Sequence, residues 1–144
     1  MNGQNVCVCY TKSMFTLFFD GCSKGNPGRA GAGAVLYDET GAEVFAEAVF
    51  VGNSATNNEA EYSGLIVGLH ESANRGIKEL HVCGDSLLVI RQMEGKYKVN
   101  SVKLAPLHEG AKTLVSKFEK IKFEHVYRDK NKRADALSNE GAMK

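Results

Sequence analysis

The sequence predicts an α/β fold, a mixed sheet with helices on both faces, and three observations carry that expectation. Residues 15–51 read as three strands in succession. From residue 56 the apolar spacing switches to a helical period. Beyond residue 78 two further short strands alternate with helices, giving the order βββ-α-β-α-α-β-α. The helix between the third and fourth strands supplies the crossover that parallel pairing requires.

Each element has a local cause. Residues 15–19 (Phe-Thr-Leu-Phe-Phe) are nearly all apolar, as in a strand covered on both faces. Residues 21–28 are turn chemistry, with Gly25-Asn26-Pro27-Gly28 as the strongest breaker. Residues 31–37 and 43–51 form two more strands, joined by a hairpin loop at Asp38-Glu39-Thr40-Gly41. Thr56-Asn57-Asn58-Glu59 is a capping box, and Tyr62, Leu65, Ile66, Leu69 and Ala73 follow at helical spacing until Arg75-Gly76. A short strand spans 79–83 and a short helix 86–93. A loop with Gly95, Tyr97 and Lys98 leads to a helix over about residues 102–118. Residues 121–127 alternate as the last strand, and Asn131 caps a final helix through Asp135 and Leu137.

Bulk properties narrow the class. The 144 residues suit one domain, read here as residues 15–141 behind a tail of residues 1–14. A chain 43% apolar and 24% charged is ordinary globular material. No apolar run reaches the ~20 residues of a membrane helix, and residues 1–14 lack the charged start, apolar middle and cleavage site of a signal peptide. The four cysteines, Cys7, Cys9, Cys22 and Cys83, are too sparse for a disulfide framework. Cys7-x-Cys9 lacks the second pair that a zinc site needs. A cytoplasmic or nuclear setting with reduced thiols follows. Net charge is only +1, yet residues 110–133 carry eight Lys/Arg against three acids. That stretch either tracks phosphates or is a solvated helix face.

Four acids sit where a fold would rather not place them. Asp20 follows the first apolar strand, where a lone carboxylate pays a large desolvation cost unless it is paired or binds a cation. Asp85 ends a short strand in Val82-Cys83-Gly84-Asp85-Ser86, where sites form in α/β sheets, although a helix N-cap is the plainer alternative. Glu61 and Leu65 are four apart, so Glu61 borders the buried stripe of its helix. Asp135 repeats the arrangement beside Ala134 and Leu137; its plain alternative is an acid in a first helical turn. Together the carboxylates would repel one another, and hard cations such as Mg²⁺ would relieve that. Two such ions suit phosphodiester cleavage. There is no Gly-x-Ser-x-Gly, His-Glu-x-x-His or Gly-Lys-Ser/Thr loop. His70, His81, His108 and His125 show no metal-ligand spacing, and no His is placed to make Cys22 a nucleophile.

The sequence resembles the type 1 ribonuclease H family. Four motifs carry the resemblance: Phe19-Asp20-Gly21 with Gly25-Asn26-Pro27-Gly28-x-Ala30-Gly31-x-Gly33; Thr56-Asn57-Asn58-x-Ala60-Glu61; Asp85-Ser86; and Asn131-Lys132-Arg133-Ala134-Asp135-x-Leu137. It implies a five-stranded sheet ordered 3-2-1-4-5 with strand two antiparallel to the rest. It also implies an enzyme, an endonuclease hydrolysing the RNA strand of RNA–DNA hybrids to 5′-phosphate and 3′-hydroxyl ends. Asp20, Glu61, Asp85 and Asp135 match the acids that bind two Mg²⁺, with Mn²⁺ as a substitute. Asn26, Asn57 and Asn58 match residues that read the minor groove, where 2′-hydroxyls mark RNA. Thr56 matches part of a pocket for the DNA-strand phosphate, a role that competes with its cap.

Two departures from the bacterial pattern matter. The loop before the last helix, Tyr127-Arg128-Asp129-Lys130-Asn131, is short, and Arg128 stands where the best-studied members carry a mobile His; some archaeal and plant-like members share this. A guanidinium there could contact the scissile phosphate. His125, inside an alternating strand, reads as structural. The basic protrusion is also missing: the chain has no Trp, and residues 92–105 offer only Lys96, Lys98 and Lys103. No separate hybrid-binding domain is expected ahead of Phe15, so grip on substrate should be weaker and steeply salt-dependent. Three alternatives stay open: a same-fold nuclease that also cuts double-stranded RNA, a DNA-acting relative of the same architecture, and a catalytically silent binding module. A monomer is expected, with no membrane partner.

Overall fold

The computed structural model describes residues 14–144, so Cys7-x-Cys9 and the tail up to Ser13 lie outside the described residues. Ten elements follow in order, β1 (Phe15–Ser23), β2 (Gly28–Tyr37), β3 (Glu43–Ala55), α1 (Asn57–Asn74), β4 (Glu79–Gly84), α2 (Leu87–Met93), α3 (Ala105–Val115), β5 (Lys120–His125), a 3₁₀ turn (Arg128–Lys130) and α4 (Lys132–Ala142). The five strands form one sheet in the order β3-β2-β1-β4-β5. β2 is antiparallel to both neighbours, and β4 is parallel to β1 and β5. The expected topology holds in full. Among the described residues no helix is long and apolar enough to cross a membrane.

Strand alternation divides the core into two layers. Leu17, Phe19, Ala34, Leu36, Leu80 and Val82 face Tyr62, Leu65 and Leu69 of α1, with Val89 and Ile90 of α2 completing that side. Phe18, Val35, Tyr37, Ala46 and Ala48 face Ala134 and Leu137 of α4 on the other. Where α4 comes closest to β2 the sheet residues beneath it are glycines, Gly31 and Gly33. A Cβ on Gly33 would lie 2.5 Å from Leu137 Cβ and 2.7 Å from the Ala134 carbonyl oxygen, so only glycine lets α4 settle this close to β2.

The local signals are satisfied largely as read. Asp38 Oδ1 accepts from the Thr40 and Ala42 amides, and Gly41 turns with φ 88°. Thr56 closes the capping box with Glu59, and Gly76 (φ 75°) follows the end of α1.

The differences lie at ends. β1 runs to Ser23 and β3 to Ala55, beyond the expected bounds, because Ser23 pairs with Ala30 and Gly28 with Ala55. Cross-strand pairing has overridden turn composition there. The helix expected over 102–118 covers only Ala105–Val115. Pro106 stands in its first turn, the Ser101 hydroxyl accepts from the Leu104 amide ahead of it, and the Lys117 and Phe118 amides bond three residues back after it. β5 ends at His125 rather than 127, since its partner β4 stops at Gly84.

Candidate metal centre

Register brings the first two acids together. Phe19 and Gly84 are the last paired residues between parallel β1 and β4, so Asp20 and Asp85 come next on neighbouring strands. On its other side Asp20 still pairs with Gly33, which places it within β1 rather than after it. Asp85 is not a helix cap: the Ser86 hydroxyl caps α2 by accepting from the Val89 amide at 3.2 Å. The Asp85 carboxylate instead accepts from Asn131 Nδ2 at 3.4 Å.

α1 delivers the third acid. Gly21 has no Cβ to strike the Ala60 and Glu61 backbone, and a Cβ on Gly64 would come within 2.5 Å of the Asp20 carbonyl oxygen. The start of α1 therefore lies directly on β1, and Glu61 is left only 8% exposed beside Asp20 at 4%. Asp20, Glu61 and Asp85 each offer an oxygen, all within 4.8 Å of one another. Asp135, on the first turn of α4, falls outside that group of three; the Ser138 hydroxyl lies between them, 2.8 Å from the Asp135 carbonyl oxygen and 3.5 Å from Asp20 Oδ2. Its own carboxylate accepts from Asn139 Nδ2 at 3.4 Å.

The cluster is electrostatically costly without a cation. Burial, then the charge of Asp85, carries the Asp20 carboxyl up to about 7. Burial raises Glu61 well above the ordinary range, and the neighbouring Asp20 charge and hydrogen bond add to it. Arg128 is the cation that opposes this, and it is exposed on its turn. Glu61 Oε1 is buried without a hydrogen-bond partner. Oxygen donors in excess, one of them orphaned, fit a hard divalent cation, and Asp20, Glu61 and Asp85 are the residues able to hold it.

The remaining candidates divide. Asn26 (φ 41°) accepts on Oδ1 from the Asn57 amide at 2.9 Å, while Asn57 Oδ1 accepts from the Ser23 amide at 2.7 Å. These bonds lock the β1–β2 turn to the start of α1, with Asn57 exposed and Asn58 half-buried beside it. The Thr56 hydroxyl is committed to its cap, accepting from the Glu59 amide at 3.1 Å. Arg128 lines an open cleft of 360 Å³ with Glu61, Asp85, Ser86, His125 and Tyr127. His125, read as structural, thus borders the acids, because its pairing with Gly84 sets it at the same strand ends.

Asn131 departs from its expected role. It stands at the N-cap of α4 but makes no capping bond. Its side chain turns inward and donates to the Phe19 carbonyl at 3.0 Å as well as to Asp85. An Asn ahead of a helix reads as a cap in sequence, and only the packed sheet reveals the other partners.

Comparison with known proteins fits this geometry. The model of a family described as reverse transcriptase-like matches residues 18–141. The ribonuclease HI of Halobacterium salinarum is 41% identical over 123 residues, 85% of this chain and 61% of that protein. The chain belongs to the type 1 ribonuclease H family. The bifunctional protein Rv2228c of Mycobacterium tuberculosis is 45% identical over 121 residues, 84% of this chain, and the chain spans only 33% of its length. The solved N-terminal ribonuclease H domain of that protein superposes with a TM-score of 0.87 at 39% identity, covering 91% of this chain and 94% of the other. A second solved ribonuclease H relative, LC11-RNase H1 in complex with an RNA/DNA hybrid, superposes at 0.84 with 34% identity, covering 90% and 96%.

Proposed function

We propose that the chain is a divalent-metal-dependent endoribonuclease that hydrolyses the RNA strand of RNA–DNA hybrids. The observation that carries this reading is the meeting of Asp20, Glu61 and Asp85, from β1, α1 and the end of β4, around a buried, partnerless Glu61 oxygen. Family membership and the hybrid bound to LC11-RNase H1 support the choice of substrate.

Asp20 is central. It meets Glu61 and Asp85 directly and is linked to Asp135 through the Ser138 hydroxyl, so these four acids would hold two Mg²⁺ ions, or Mn²⁺ in their place. Bound there, such a pair would activate the attacking water and stabilise the leaving oxygen, giving 5′-phosphate and 3′-hydroxyl products. The protein's own work is positional. Asn131 holds Asp85, and the Asn26–Asn57 lock holds the start of α1, from which Asn57 and Asn58 meet 2′-hydroxyls in the minor groove. Arg128, across the cleft, neutralises the scissile phosphate. Thr56 serves the DNA-strand phosphate only by sharing its capping hydroxyl.

A gel assay of labelled hybrid, double-stranded RNA and double-stranded DNA at one salt concentration tests the reading. Cleavage of the RNA in hybrid with Mg²⁺ and none with chelator is expected. Asp20→Asn should lower it more than about a hundredfold, beyond the usual cost of losing a residue that merely supports a ligand. Near-normal cleavage by Asp20→Asn, or hybrid binding without cleavage, would sink it.

A further inference from the structure

A second convergent group of metal-ligating side chains lies outside the acid cluster, at His81, Cys83 and Glu124. Its origin is strand alternation. Leu80 and Val82 point into the α1-side core, so His81 and Cys83 emerge together on the opposite face of β4. α4 packs chiefly over β1, β2 and β3 on that face, away from the edge strand β5. Glu124 is the residue directly paired with Cys83 across β4 and β5. Two residues of one strand and one of its neighbour therefore offer an imidazole, a thiol and a carboxylate to one point.

The spacing suits a small tetrahedral ion. Cys83 Sγ and His81 Nε2 are 3.6 Å apart. With metal–sulfur and metal–nitrogen bonds of about 2.3 and 2.0 Å, tetrahedral angles put those atoms about 3.5 Å apart. Glu124 Oε1 is 2.7 Å from His81 Nε2, closer than the same geometry requires, and would have to withdraw by about half an ångström. Its side chain is 50% exposed and free to do so. A sulfur and an imidazole nitrogen discriminate against Mg²⁺ and favour the Zn²⁺ class, the reverse of the all-oxygen cluster.

We propose that His81, Cys83 and Glu124 form a Zn²⁺-class site, open to water at its fourth position, that ties edge strand β5 to β4. Binding releases the thiol proton to solvent, since the thiolate is the ligand form. With no ion, burial and the Glu124 charge keep the thiol protonated. Cys83 stands two residues before Asp85, so the ion would also stiffen the strand end that carries that acid.

Cobalt reports thiolate ligation through a sulfur-to-metal charge-transfer band. The full chain, reduced and in excess Mg²⁺ so that the carboxylates are already occupied, is titrated with Co²⁺. One equivalent should raise the band, and a triple variant C7S/C9S/C22S should keep it. Cys83→Ser should abolish it, while His81→Gln and Glu124→Gln should weaken Co²⁺ binding at least about tenfold. Zn²⁺ should raise the Tm of the wild type and not of His81→Gln. Circular dichroism checks folding, and Glu124→Gln, at an exposed side chain, serves as the variant least able to disturb it. A band that persists in Cys83→Ser or vanishes in the triple variant overturns the proposal. So does unchanged Co²⁺ affinity in both His81→Gln and Glu124→Gln, which would leave only a surface ion pair beside a bystander thiol.

Discussion

The two faces of the sheet are built differently. On the α1 face the core is made of large side chains, Leu17, Phe19, Leu36, Tyr62, Leu65 and Leu69, each fully buried. On the α4 face the fully enclosed part is smaller, Val35, Ala48, Ala134 and Leu137 with Phe18 and Tyr37 packed beside them, and the helix approaches β2 until no Cβ fits at Gly31 or Gly33. The first arrangement buries the most apolar area and so supplies most of the stability. The second buries less, but its close contacts fix the position of α4 tightly, and with it Asp135 and Asn131. The acids lie along the seam where both faces end. Glu61 comes from one helix and Asp135 from the other, with Asp20 on the strand between them.

That division can be tested from either side. Leu65→Ala, on the α1 face, should cost up to about 5 kcal/mol of stability in denaturant unfolding. Below its lowered Tm it should still cleave hybrid near the wild-type rate. A matching loss of rate in fully folded protein would refute the division.

The seam has a pH signature. Asp20 ionises near 3.8 when unfolded and at about 7 when folded, so the unfolded chain releases that proton first. Metal-free stability should therefore fall as pH rises through that window, then level off above it. In chelator at pH 8, Asp20→Asn should be more stable than wild type by on the order of 4 kcal/mol. The advantage should disappear below pH 4, and Mg²⁺ should stabilise wild type far more than the variant. Equal stability of the two proteins across the window would mean that the acids do not oppose one another as described.

Gly33→Ala addresses the α4 face and should have the smallest effect on stability, about 1–3 kcal/mol. Its effect on hybrid cleavage should exceed what that loss explains, because the methyl meets Leu137 and the Ala134 carbonyl and lifts Asp135 away from Asp20. Cleavage rates and unfolding curves on the same preparation separate the two effects. A variant that loses stability in that range and keeps its rate would show that the close fit is only packing.

Much of this was legible without a structure. Alternation and helical spacing determined the order of elements, since apolar residues must face a core whatever the partner. The capping box at Thr56 and Glu59, the Asp38–Gly41 loop and the Arg75-Gly76 stop were determined by local hydrogen bonding and backbone freedom. Four acids, two at strand ends, one beside the buried stripe of a helix and one in a first helical turn, already pointed to a cation through their uncompensated charge. Tertiary structure decided the rest, because register, depth and partner choice are set by residues distant in sequence. The Phe19–Gly84 pairing put Asp20 beside Asp85, and the Gly84–His125 pairing carried His125 to the cleft. Packing against the sheet turned Asn131 inward from its cap to Asp85, while Ser86 took the cap that the sequence also offers to Asp85. The convergence of His81 and Cys83 with Glu124, 43 residues from His81, depended on strand pairing that no local spacing encodes.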